Sequence, residues 1–406
     1  MKDRTPLSAS PLAPLLTPEG RALLDEVRDT DPARELAVAT RLRREHPAEL
    51  VSAALGQARL RQRAVAKFGA EDAARMFFTP NGVEQSTRTS VAAYRARRLK
   101  ERGVTSVADL CCGIGGDAIA LARAGIRVLA VDRDPLTAAA ARANAEELGL
   151  AALIEVREAD VTEVDPAGYD AVFVDPARRG GRGRVFDPEA YSPPLSWAIE
   201  TARKAPRAAA LKIAPGIPHE AVPEDAEAEW ISDCGDVKEA VLWFGTGRAA
   251  AGAGKAPAIR ATLLPGPRTL PSHGLPDPAV RPPGRYLYEP DGAVIRAHLV
   301  AEVAEQLDGG LIDPTLAYVT ADEHRPTPYA TAYEITDRLP FNVKKLKALL
   351  RERRIGTLTV KKRGSAVEPE ELRRKALPKP HGPESVTVFL TRVAGAPTML
   401  LGHPVR

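Results

Sequence analysis

Asp109, Asp132, Asp160 and Asp175 each stand at or just beyond the end of an apolar run. After the first of them comes Leu110-Cys111-Cys112-Gly113-Ile114-Gly115-Gly116-Asp117, an apolar strand breaking into a glycine turn. A buried strand, a tight glycine turn and a helix let backbone amides approach a ligand closely enough to exclude any Cβ. The helix N-terminus adds a field favourable to carboxylate or phosphate. Asp132 closes the next strand, where an acid accepts hydrogen bonds from a ribose diol, so the ligand reads as a nucleoside. The turn has neither a GxxxxGK[ST] lysine nor a clean GxGxxG, and a second phosphate site is not indicated.

Asp175-Pro176-Ala177-Arg178 closes a fourth apolar run. Asp-Pro also ends strands and starts turns without any chemistry. Here it falls at the carboxyl edge of a parallel sheet, where ligands of such sheets bind. An acid there can accept a hydrogen bond from an amine and orient its lone pair, a task the Pro176 and Ala177 carbonyls can share.

Other nucleophiles read as structural. Three cysteines, at 111, 112 and 234, make no CxxC metal pair and no disulfide framework. Cys111 and Cys112 are small residues for packing under a ligand, and Cys234 occupies a turn with no histidine near it in sequence. Lys212, on the fifth strand, reads as a charge at a sheet end rather than a general base.

The elements that must position these residues follow from periodicity. Strands are expected over 127–131, 153–156, 169–174 and 208–214, with helices over 118–124 and 135–148 between them. An antiparallel pair, 228–232 with 237–244, suits the far edge of the sheet, and 258–264 adds a strand. Upstream, 17–28, 32–44, 48–68 and 69–77 are amphipathic helical stretches, and a helix spans 85–102. Between them the turn Phe77-Phe78-Thr79-Pro80 reads as interdomain core, and its resemblance to a Thr-Pro loop of RNA methyltransferases implies instead a loop closing over the ligand. Proline and glycine crowd 265–285, which reads as linker rather than element. Beyond it, helices over 293–307, 343–354 and 369–377 alternate with strands over 331–335, 357–361, 386–392 and 398–401, an α+β sandwich.

With 406 residues the chain has room for two or three domains. Its formal charge is +4 and its pI about 8.9, which permits nucleic acid without requiring it. No apolar run is long enough for a membrane span and no leader pattern opens the chain, so a reducing cytoplasm is the expected location. The charge is uneven. Over 344–363 nine basic residues (Lys344, Lys345, Lys347, Arg351, Arg353, Arg354, Lys361, Lys362, Arg363) face one acid, Glu352. A helix and strand so charged suit phosphate contacts, with Val343, Leu346, Leu349 and Leu350 left for packing. A second cluster, Arg178, Arg179, Arg182 and Arg184 among glycines, follows Asp175 directly.

On these motifs the region from about 77 to 270 resembles the class I S-adenosylmethionine-dependent methyltransferases. The resemblance implies a Rossmann-like α/β core with a mostly parallel seven-stranded sheet and an antiparallel far-edge strand. It implies that Asp109, Cys111, Gly113 and Gly115 cradle the methionine part of S-adenosylmethionine, that Asp132 binds the ribose and that Asp160 meets the adenine. Asp175, Pro176 and Arg178 would border the methyl-transfer site. Asp-Leu-Cys-Cys-Gly-Ile-Gly-Gly is similar to the turn of RNA 5-methyluridine methyltransferases and trimethylguanosine synthases. The former attack the pyrimidine with a cysteine after strand five, where this chain has Pro215-Gly216, and the latter stack the cap on a tryptophan, where it has Ala177-Arg178. Direct transfer to a nitrogen or oxygen remains, for which positioning supplies much of the rate. The C-terminal part resembles the small THUMP-like domain of some bacterial methyltransferases, and THUMP domains are associated with RNA modification.

The expected organisation is a helical region (1–90), a methyltransferase domain (91–270), a linker (271–285) and a THUMP-like α+β domain (286–406). The expected function is methylation of a base nitrogen of structured RNA, transfer or ribosomal, with no metal and no membrane. Arg179, Arg182, Lys344, Lys345, Lys347, Arg351, Arg354, Lys361 and Lys362 are the candidate RNA contacts. A small-molecule or protein methyltransferase, and an RNA-binding protein that keeps the cofactor fold without turnover, are the alternatives.

Overall fold

The computed structural model describes residues 12–405 apart from 178, 181–182, 185–186 and 246–257. Contacts divide the chain into one unit of Met1–Ala228 with Glu239–Pro257 and another of Glu229–Lys238 with Ala258–Arg406. The second unit thus starts before the 271–285 stretch, which was expected to separate two domains. Residues 265–285 also hold a strand, Arg268–Pro271, paired antiparallel with Ala258–Leu264, so proline and glycine mark a hairpin there as well as a connection.

The first unit begins with helices α1 (Ala13–Leu16), α2 (Pro18–Glu26), α3 (Glu35–Leu42), α4 (Ala48–Arg75), α5 (Pro80–Gln85) and α6 (Thr89–Lys100). Gly69 interrupts α4 at φ 79°, which is why two helical stretches are legible there. The helix expected over 85–102 is α6 alone. Thr79 instead caps a separate α5 by accepting from the Gly82 amide at 2.9 Å, with Pro80 at its first position.

The sheet then alternates with helices: β1 (Ser106–Leu110), α7 (Gly116–Arg123), β2 (Arg127–Asp132), α8 (Pro135–Glu147), β3 (Ile154–Glu158) and β4 (Ala171–Val174). After β4 come a two-residue ladder, β5 (Arg179–Gly180) with β6 (Gly183–Arg184), then α9 (Leu195–Arg203), β7 (Ala208–Ile213), β8 (Glu227–Asp233) and β9 (Asp236–Phe244). Within the first unit the strand order β9-β7-β4-β1-β2-β3 is parallel from β3 through β7, and β9 runs antiparallel to β7. This is the Rossmann-like core with an antiparallel far edge. β1, β4 and β7 are buried at every position, as strands covered on both faces must be. Alanines stripe α8, so it packs close enough to the turn that a Cβ on Gly115 would lie 3.5 Å from the Ala141 Cβ.

The second unit adds β10 (Ala258–Leu264), β11 (Arg268–Pro271), β12 (Tyr286–Pro290), α10 (Gly292–Arg296), α11 (Val300–Leu307), β13 (Gly310–Asp313), β14 (Leu316–Ala321) and β15 (Ala330–Pro340). It ends with α12 (Val343–Glu352), β16 (Ile355–Lys362), α13 (Pro369–Ala376), β17 (Glu384–Val393) and β18 (Ala396–Pro404). The single helix expected over 293–307 is two, broken where His298 takes φ 57°. A seven-stranded sheet, β13-β14-β12-β15-β18-β17-β16, is antiparallel except for β16 beside β17. Leu346, Leu350 and Leu372 of α12 and α13 join Val388, Met399 and Leu401 in one core cluster. Phe389 joins another, edge-on to Tyr318 and Tyr333 with centroids at 5.6 and 4.8 Å. Among the described residues no helix is long and apolar enough to cross a membrane.

Candidate cofactor and acceptor site

The turn after β1 is built from left-handed residues: Cys111 at φ 67°, Gly113 at 58° and Gly115 at 86°. Hydrogen bonds hold it, from the Cys112 amide to the Val131 carbonyl at 2.9 Å and from the Gly115 amide to the Cys112 carbonyl at 3.0 Å. The Gly113 amide donates to Asp132 Oδ2 and the Asp134 amide to Oδ1, both at 3.0 Å, so the end of β2 is tied directly to the turn. Burial raises the Asp132 pKa, and these amides pull against the shift. Its half-buried carboxylate keeps lone pairs for a diol.

Asp109 lies wholly inside, and neither of its carboxylate oxygens has a partner among the described residues. Burial first, then the carboxylates of Asp117 and Asp175, push its pKa well above the usual range, with Arg95 opposing. Orphaned acceptors beneath a glycine turn fit a cationic, amine-bearing ligand, and Asp132 fits its ribose. S-adenosylmethionine is such a ligand. Asp160 caps the short helical turn after β3, accepting from the Thr162 amide at 2.9 Å and its hydroxyl at 2.7 Å, bonds that lower its pKa. Burial pushes both Cys111 and Cys112 up, with Asp132 and Asp109 respectively the next cause, so neither is a ready thiolate.

A polar linkage backs the turn from the helical region. Asn144, fully buried on α8, accepts from the Phe77 amide at 2.6 Å and donates to the carbonyls of Phe77 at 3.0 Å and Ile114 at 2.9 Å. Gln57 does the same for Phe78, donating to its carbonyl at 2.7 Å and accepting from its amide at 3.0 Å. Both phenylalanines are 1% exposed, which makes them core rather than a free loop. A Cβ on Gly82 would come within 2.6 Å of Ile114 Cγ2, so α5 lies against the cofactor turn.

At the end of β4, the Asp175 amide donates to the Leu110 carbonyl at 3.1 Å, and Ala177 exchanges two backbone bonds with Ser192. Pro176 is buried between these anchors. Lys212 is not a surface charge at a sheet end: it is 4% exposed, with its Nζ 2.6 Å from Asp175 Oδ2 and 2.9 Å from Thr87 Oγ1. Burial works against the ammonium, and the carboxylates of Asp175, Glu239 and Asp117 outweigh it, so its pKa is raised. Beside the pair, Arg95 bridges Asp117 and Glu239 and lies over the Phe173 ring, 4.4 Å from its centroid. Arg178 and Arg182 lie outside the described residues, and Arg179 is in the β5–β6 ladder.

Sequence reasoning missed Arg95, Asp117, Glu239, Asn144 and Thr87. A signal existed for two of them. Arg95 falls at helical spacing among Val91, Ala92 and Leu99, and Asn144 interrupts the alanine stripe of α8.

In the second unit Lys344, Lys345, Lys347, Arg351 and Arg354 are exposed, without hydrogen-bond or ion-pair partners among the described residues. Lys344, Lys347 and Arg351 share one face of α12 at three- and four-residue spacing. Lys361 turns inward to Glu289 and Lys362 pairs with Glu368 at 2.7 Å, so these two are already engaged within the unit. Among the described residues, no cluster of three or more His, Cys, Asp or Glu side chains could hold a metal.

Three families match parts of the chain: a methyltransferase domain over residues 107–177, a THUMP domain-like family over 330–404 and a domain of unknown function over 9–64. An uncharacterised S-adenosylmethionine-dependent methyltransferase of Mycobacterium tuberculosis is 34% identical over 345 residues, 82% of this chain and 90% of that one. The 23S rRNA (uracil(1939)-C(5))-methyltransferase of Edwardsiella ictaluri is 32% identical over 120 residues, 28% of this chain and 27% of the enzyme. A crystal structure from Porphyromonas gingivalis W83, classed by inference as a methyltransferase, has a similar fold, with TM-score 0.77, 21% identity and 98% of each chain covered.

Proposed function

Because the chain belongs to the family of S-adenosylmethionine-dependent methyltransferases, we propose that its acceptor is a base nitrogen of structured RNA, transfer or ribosomal, methylated by direct in-line transfer. The observation that carries the RNA reading is the row of exposed, unpartnered cations on α12, within the segment that matches the THUMP domain-like family. Such cations release counterions on meeting phosphates, and they add affinity without choosing a sequence. The partial likeness to an enzyme named for a 23S rRNA uracil adds support.

S-adenosylmethionine supplies a methyl group on a sulfonium, which needs only a well-aimed lone pair to accept it. Asp109, Gly113, Gly115 and Asp132 would hold the cofactor, with Asp160 as the acid for its adenine. Asp175 would accept a hydrogen bond from an amino group of the base, turn its lone pair to the methyl, and take the proton shed by that nitrogen as the sulfonium's S–C bond breaks to leave a neutral thioether. Alignment of this kind is worth several orders of magnitude in rate. Covalent attack at C5 is disfavoured, since Ala214-Pro215-Gly216 follows β7 in place of a cysteine.

The test is transfer of tritium from labelled S-adenosylmethionine to total RNA from a strain lacking the gene, with nucleosides then identified by mass spectrometry. A single nitrogen-methylated nucleoside, restored by the protein, is the expected result. No label in RNA from a protein that binds the cofactor would overturn the reading, and label in protein or small molecules would replace it.

A further inference from the structure

We propose that Lys212 is a positioning residue for methyl transfer: it holds one oxygen of Asp175 so that the other is presented to the acceptor base. This rests on the reading of Asp175 as the group that orients the acceptor. Lys212 Nζ binds Asp175 Oδ2 at 2.6 Å, whereas Oδ1 has no partner among the described residues and is not a buried orphan. The carboxylate is therefore clamped on one side and open on the other. Its backbone is fixed independently by the bond to the Leu110 carbonyl.

The ammonium is itself aimed. Thr87 Oγ1 accepts from it at 2.9 Å, and the chain just before Thr87 is pinned by Lys67, which donates to the carbonyls of Glu84 at 2.6 Å and Ser86 at 2.8 Å. Carboxylates act on the ammonium from three elements: Asp175 after β4, Glu239 on β9 and Asp117 on α7. With Arg95 committed to Asp117 and Glu239, Lys212 is the cation that balances Asp175.

Lys212→Met removes the charge and the clamp, Lys212→Arg keeps the charge with altered reach, and Thr87→Val loosens the aim while leaving the ion pair. Lys212→Met should change the infrared carboxylate stretches of Asp175, whose splitting reports how unequally its two oxygens are hydrogen-bonded. Its kcat should fall about 10- to 100-fold with the Kd for S-adenosylmethionine unchanged. Lys212→Arg should restore the parent carboxylate stretches with partial kcat, and Thr87→Val should lose roughly threefold in kcat with the stretches little changed. Should Lys212→Met fail to fold, the other two variants carry the comparison. The inference is overturned if folded variants keep both the Asp175 carboxylate stretches and the kcat of the parent. If the parent itself leaves that RNA unlabelled, the RNA reading falls, while the carboxylate stretches still decide whether Lys212 governs Asp175.

Discussion

Charge is used in opposite ways in the two units. In the first, Arg95, Lys212, Asp117, Glu239 and Asp109 are nearly or wholly buried, and the cations are matched by carboxylates. In the second, Lys344, Lys345, Lys347 and Arg351 stand on one exposed helix with only Glu352 among them. Buried charge is costly unless paired, so where it persists it fixes geometry. Exposed unpaired cations cost little, fix nothing and attract a polyanion. Stability and chemistry should therefore respond to the first set, and RNA affinity to the second.

The largest effect expected from this contrast is on folding. Arg95→Met leaves Asp117 and Glu239 buried without their cation, and breaking a buried pair costs about 3–5 kcal/mol. Thermal unfolding of the variant should show a drop in Tm of many degrees. A loss no greater than that of a surface substitution would mean that these carboxylates are protonated or find water.

Next in size is the charge reversal Lys344→Glu, Lys345→Glu, Arg351→Glu. If each cation meets a phosphate, the slope of log affinity against log salt flattens by roughly 2 or more, and binding at low salt weakens about a hundredfold. Tm and cofactor affinity should not move. Lys361→Met serves as the internal control, because Lys361 is engaged with Glu289 and should leave the salt slope unchanged. Equal effects of Lys361 and the α12 cations on RNA binding would dissolve the distinction between engaged and free charge.

Within the first unit, Asp132→Ala removes the acceptor proposed for the ribose and the partner of the Gly113 and Asp134 amides. Charged hydrogen bonds contribute about 1.5–3 kcal/mol, so the Kd for S-adenosylmethionine by calorimetry should rise roughly 10- to 100-fold. The affinity for RNA at α12 should be indifferent to this change.

The strand–turn–helix around Asp109 and the acid ending β2 were legible because local sequence states them: apolar runs, glycines and an aspartate at a fixed offset. Their partners were not. Arg95 meets Asp117 and Glu239 only through tertiary packing, and Thr87 meets Lys212 across 125 positions of chain. A lysine on a strand has the same local sequence whether it ends at water or at a buried carboxylate. The same limit explains the basic run of 344–363, where spacing could not separate Lys361, held by Glu289, from Lys344 and Lys347. Break points were misplaced where one residue overrides periodicity, as at His298 between α10 and α11 and at the Thr79 cap of α5.

The smallest effect expected is also the one that separates stability from function within the first unit. Asp109 has its folded pKa raised by burial, so it favours the folded state fully below the unfolded carboxyl range, and that contribution is lost as pH rises toward the folded pKa. Asp109→Asn cannot ionise. Its Tm relative to the parent should therefore climb as the pH rises above the unfolded carboxyl range, and level off beyond the folded pKa. Its cofactor affinity should fall, because an amide cannot become the anion that a cationic ligand would draw from this buried carboxyl. A variant more stable and less able to bind would mean that the orphaned carboxylate is kept for the ligand. A parallel loss of both would make Asp109 a packing residue, and would leave the cradle to Asp132 and the glycines alone.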